Sequence, residues 1–133
     1  MAVLFREVSM RDQRLWTWHV AAGLAILVLL GLHMATMHLD AVLGVFNQPG
    51  TEAVDWTNVA ARASRTFYLV TYIVLLGAAL FHGLYGLRNI LLELNPGAAT
   101  RAGLGVVLVV VGTGLFALGT WAAWASFSLA RAL

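Results

Sequence analysis

Four histidines, His19, His33, His38 and His82, are the residues of this 133-residue chain best suited to chemistry. Three of them fall in one apolar run, WTWHVAAGLAILVLLGLHMATMH, from Trp16 to His38. The fourth lies in a second such run. Hydrocarbon solvates imidazole poorly, so an ionisable side chain inside a membrane-length run is by default a functional-site hypothesis. Neutral imidazole is a ligand of haem iron, and the cores of helical bundles hold such cofactors. Two plainer roles compete. His33 and His82 could each hydrogen-bond a neighbouring helix. His19 and His38 are near the ends of their run, where headgroup contact is ordinary.

The elements that carry these residues follow from charge. Leu15–Leu39, Thr66–Leu87 and Ala102–Ala130 contain no Asp, Glu, Lys or Arg. Each exceeds the roughly 20 residues that cross a ~30 Å hydrocarbon core as helix. The chain is 61% hydrophobic with a mean hydropathy of +0.85, more apolar surface than a soluble domain of this size can hide. The expected fold is an all-α membrane protein: one membrane-anchor domain over residues 1–133, with helices at about 15–39, 66–92 and 102–130. The first run is too long, and lacks a small-residue cleavage site, to be a signal peptide. Asn95-Pro96-Gly97 ends the second helix, and Asn47-Gln48-Pro49-Gly50 marks a turn in the first linker. Val54–Arg65 reads as a short amphipathic piece. Gly103, Gly105, Gly112, Gly114 and Gly119 of helix three allow close approach to neighbours.

Counting along the helices sets the histidines at depths. His33 lies roughly 9 Å past the middle of helix one, and His82 roughly 7–8 Å past the middle of the oppositely directed helix two. They are thus about 16 Å apart along the membrane normal and do not share an iron. His19 and His33, fourteen residues apart, share a face of helix one on which Gly23 also lies. His19 falls on the same side of the membrane as His82. His38 points away from that face. Ala78 and Gly86 flank His82 by one turn and leave room for a flat macrocycle.

There is no cysteine, which excludes disulfides, Fe–S ligation by this chain and covalent c-type haem attachment. All eight basic residues are arginine, and the net charge of +2 is no nucleic-acid footprint. The arginines sit at helix ends. Arg6, Arg11, Arg14, Arg88 and Arg101 fall on one side and Arg62, Arg65 and Arg131 on the other. Positive-inside counting makes the N-terminus cytoplasmic and the C-terminus external.

The runs R-L-W-T-W-H-V-A-A-G (14–23), H-M-A-T-M-H (33–38) and F-H-G-L-Y-G-L (81–87) resemble the first half of the cytochrome b membrane anchor of succinate dehydrogenase and fumarate reductase, complex II. The resemblance covers helices one and two. It implies a share in a multi-chain haem-binding bundle, with one or two b-type haems. His82 would ligate the haem nearer an Fe–S subunit and His33 the distal one. The resembled single-chain anchor has five helices, whose later members bring the other axial histidines. Helix three here has none, so those ligands are expected from a second anchor subunit. FAD and Fe–S clusters belong to other subunits, a flavoprotein and an Fe–S protein. Electrons would pass from the Fe–S subunit through the haems to a membrane quinone, in a cytoplasmic-type inner membrane. Arg14, Arg65 and Arg88 would meet haem propionates, and His19 and His38 propionates or quinone oxygens. Two alternatives stand beside this. One is a haem-free tether for a soluble oxidoreductase. The other is a haem b subunit of a different quinone-linked dehydrogenase, a class that usually puts more helices in one chain.

Overall fold

The computed structural model describes residues 10–39, 44 and 51–132. The N-terminal segment with Arg6 and the turn at residues 47–50 lie outside them. Among the described residues every regular element is a helix, joined by short turns. Helix α1 spans Met10–Met34 and runs into a π-helical turn at Ala35–Leu39. Helix α2 spans Trp56–Ala63, α3 Thr66–Glu93 and α4 Ala98–Ala132. The segments Gln13–Leu39, Thr66–Glu93 and Ala98–Ala132 are each long and apolar enough to cross a membrane.

Two helix starts depart from expectation. Helix α1 begins five residues before Leu15, and α4 four residues before Ala102. Absence of charge marks where a helix could enter hydrocarbon, not where it begins. Arginine and glutamine are good helix formers, and Met10–Arg14 continues the helix outward. At α4 the Arg101 amide donates to the Gly97 carbonyl at 3.0 Å and closes the first turn. The Arg101 guanidinium donates back to the Pro96 carbonyl at 2.7 Å and to the Asn95 side chain. Asn95 sits at φ 52°, the left-handed conformation that ends α3 and that asparagine tolerates better than most residues.

The short helix α2 is amphipathic as expected, but its covered face is polar. Asn58 and Arg62, one turn apart, are buried, while Trp56 is exposed. The Asn58 amide donates to Thr51 Oγ1 at 2.8 Å and to the Glu52 carbonyl at 2.7 Å. The Arg62 guanidinium donates to the Ala53 carbonyl. Together they fold the end of the linker against α2.

Helix α3 is central. It packs against α1 on one side and α4 on the other, and α2 bridges α3 and α4. Very little is sealed inside: Leu69 and Phe127 are the buried apolar residues among those described. Large apolar side chains such as Leu24, Leu27, Val109 and Leu118 point outward. Apolar faces have no hydrophobic reason to pair when the surrounding medium is itself hydrocarbon, so packing must come from shape. Shape is supplied at glycine. A Cβ placed at Gly119 would lie 2.5 Å from Leu76 Cδ2, and one at Gly112 2.6 Å from Leu84 Cδ1. In the other direction Phe116 fills the space over Gly77. Gly103, Gly105 and Gly114 face open space, so only two of the five glycines of α4 serve the packing expected of them.

Candidate functional site

The seam between α1 and α3 holds the site. His19 of α1 and His82 of α3 stack face to face, with ring centroids 4.0 Å apart and planes within 9°. His82 Nδ1 is 3.1 Å from the backbone carbonyl of His19. A carbonyl only accepts, so Nδ1 carries the proton and donates it, and the neutral ring keeps its lone pair on Nε2. Nε2 of His82 has no partner among the described residues. The Tyr85 ring tilts against His19 at 5.2 Å and stacks on Phe81 at 5.8 Å.

The two rings come together because each helix drops a side chain one turn past its histidine. A Cβ on Gly23 would lie 3.1 Å from His82 Cε1. A Cβ on Gly86 would lie 3.5 Å from His19 Cε1. Each imidazole thus lies over the glycine of the opposite helix. The exchange is unequal. His82 gains a hydrogen bond, whereas His19 Nδ1 is buried with no partner among the described residues. Leaving a buried polar group unpaired costs about 1–3 kcal/mol.

His33 stands apart from this pair. Its ring meets the edge of Tyr72 at 5.9 Å, and Tyr72 neighbours Tyr68 at 6.0 Å. Tyr72 and His82 are ten residues apart on α3, so the two histidine levels are separated by about 15 Å. His19 and His33 both face α3, as a four-turn spacing requires. His38 is exposed within the π-helical turn, where Thr36 is buried and donates its hydroxyl to the Leu32 carbonyl at 2.8 Å. Arg14 and Arg65 are exposed, the latter at the start of α3. Arg88 is half-buried and lines an apolar groove of about 930 Å³ between α3 and α4, with Tyr85 beside it and Leu15 at the lip.

A b-type haem asks for an imidazole with a free Nε2 lone pair and a space beside it. The donor chemistry of His82 fits: a ligand histidine ordinarily gives its other ring N–H to a carbonyl or carboxylate. The space expected over Gly86 is a different matter. It is filled by the His19 ring, so Gly86 makes room for a second imidazole and not for a macrocycle. His33 has no hydrogen bond among the described residues that would fix its tautomer. The contact between His19 and His82, and the part of Tyr72 and Tyr85, go beyond the sequence reading. The available signal was the spacing H-x-x-x-G, present at His19–Gly23 and again at His82–Gly86. Comparison with protein-family models, with curated proteins and with solved structures finds no match to this chain.

Proposed function

We propose that this chain is a membrane-anchor subunit of a succinate:quinone oxidoreductase or quinol:fumarate reductase, with His82 as an axial ligand of b-type haem. One observation carries the reading: His82 donates Nδ1–H to a backbone carbonyl and keeps Nε2 available, inside a helix long enough to span a membrane. Haem bound there would supply one-electron transfer between an Fe–S subunit and membrane quinone. This chain's residues would hold and orient it. His82 presents the donor nitrogen. The His19 carbonyl orients the His82 ring, and Tyr85 and Phe81 cover its flank. Arg88 and Arg14 are the cations nearest that end of the bundle and suit propionates. His33 is the corresponding donor about 15 Å away, with Arg65 at that end. The remaining haem ligands would come from a second anchor chain. The N-terminus is cytoplasmic, where the Fe–S and flavoprotein subunits dock, and the C-terminus is external.

The test is an optical difference spectrum of the purified complex. Reduced b-type bands are expected, with those of one haem lost in His82→Ala. No haem absorbance in the wild-type complex would sink the proposal. A second reading has its own support. The His19 and His82 rings themselves fill the space over both glycines, which suits a haem-free tether whose histidines join two helices. In that case succinate–quinone activity survives His82→Ala once the complex assembles.

A further inference from the structure

Side chains on a helix lean toward its N-terminus, so the residue four positions on covers the carbonyl of the turn before it. Position 23 would cover the carbonyl of His19. It is glycine, and the space a side chain would take is filled by His82: a Cβ there would lie 3.1 Å from Cε1 and 3.2 Å from Nδ1. Only from within that space does Nδ1 reach the carbonyl, at 3.1 Å. An imidazole in hydrocarbon is free to carry its proton on either nitrogen. Here the notch and the carbonyl choose.

We infer that Gly23 and the backbone carbonyl of His19 form a positioning element that fixes His82 in the Nδ1–H tautomer and so sets the donor strength of its Nε2. The working group of residue 19 is its main chain, not its ring. The consequence for iron rests on the haem reading given above; the tautomer does not. A hydrogen bond from Nδ1–H makes Nε2 the more basic donor, and loss of such a partner typically weakens metal binding roughly 10- to 100-fold. A weaker donor stabilises ferric iron less, so the reduction potential rises.

The experiment has two arms. In the first, the full chain labelled with ¹⁵N-histidine is studied in detergent micelles without haem, where ring-nitrogen shifts separate the tautomers. His82 is expected as Nδ1–H in the wild type. It remains so in His19→Ala, which keeps the carbonyl, and in Gly31→Val, because a Cβ at Gly31 meets nothing within 4 Å. It becomes mixed or Nε2–H in Gly23→Val. If that variant fails to insert, Gly23→Ala carries the same test with a smaller change. In the second arm, the assembled complexes are titrated for haem retention and potential. Gly23→Val is expected to bind haem roughly 10- to 100-fold more weakly and at a raised potential, with Gly31→Val close to wild type in both. An unchanged tautomer in the Gly23 variants, or its loss in His19→Ala, overturns the inference. A complex without haem that still shows the expected tautomer pattern overturns the haem reading alone and leaves the positioning element standing.

Discussion

Adding a single methyl at Gly119 should separate packing from helix propensity in α4. A Cβ at this position lies 2.5 Å from Leu76 Cδ2, and Leu76 Cδ1 and Cγ are each at 3.6 Å. An ordinary carbon–carbon contact is about 3.5–4.0 Å, so the near methyl must retreat by about 1 Å. Rotating it away swings the rest of the leucine, already in contact, toward the same position. Overpacking of this kind costs about 1–3 kcal/mol. Against it stands the gain of about 1 kcal/mol from replacing glycine by alanine within a helix. Gly119→Ala is therefore expected to be neutral to destabilising by about 2 kcal/mol. Gly114→Ala, five residues earlier on the same helix and facing open space, has only the gain and should stabilise by up to about 1 kcal/mol. The assay is reversible unfolding in mixed detergent micelles, titrated with a denaturing detergent. Combining Gly119→Ala with Leu76→Ala should recover part of the loss, because the clash partner is then gone. Equal shifts for the two glycines would refute the notch as a packing device.

Other outcomes follow from the linker and the turn. Asn58→Ala removes donors to Thr51 Oγ1 and the Glu52 carbonyl in a buried site. It should cost about 1–3 kcal/mol, seen as faster proteolysis or hydrogen exchange over residues 51–63. Asn95→Val forces a β-branched residue into the left-handed region, φ 52°. It should cost about 1–2 kcal/mol, whereas Asn95→Gly should lose less in the same unfolding titration. Loss of one haem's bands in His82→Ala, and the tautomer change in Gly23→Val, complete the set.

Much of the fold was legible because hydrocarbon imposes a crude rule. Three charge-free windows had to be three helices, and the α3–α4 turn was written in Asn95-Pro96-Gly97. Depth was legible more coarsely, since rise per residue is fixed: His19 falls on the same side of the membrane as His82, and His33 on the other. The direction in which each helix faces was not. Amphipathicity reports facing when one side meets water, and α1 is apolar on every side between Leu15 and Leu39. Hence the contact of His19 with His82 was missed although both fell on the same side. The glycines misled for a related reason. Gly86 leaves room, but composition does not say for what, and in the fold it is for His19. The π-helical turn at Ala35–Leu39 left no mark that length or charge would reveal. Thr36, whose hydroxyl takes the Leu32 carbonyl, is its one visible correlate.

Reciprocal seating of two imidazoles over two glycines also bears on how α1 and α3 find one arrangement among many. Sliding one greasy cylinder along another by a turn exchanges leucine for leucine and changes little. The same slide takes Gly23 from beneath His82 and puts Leu27 or His19 itself in its place, closing the notch. It strands the Nδ1–H of His82 in hydrocarbon as well, where an unpaired donor is expensive. Wrong registers are thus excluded by what they would bury, while the right one gains only a single hydrogen bond. Two residue pairs out of a long seam serve as the key that lets otherwise interchangeable surfaces dock in one way.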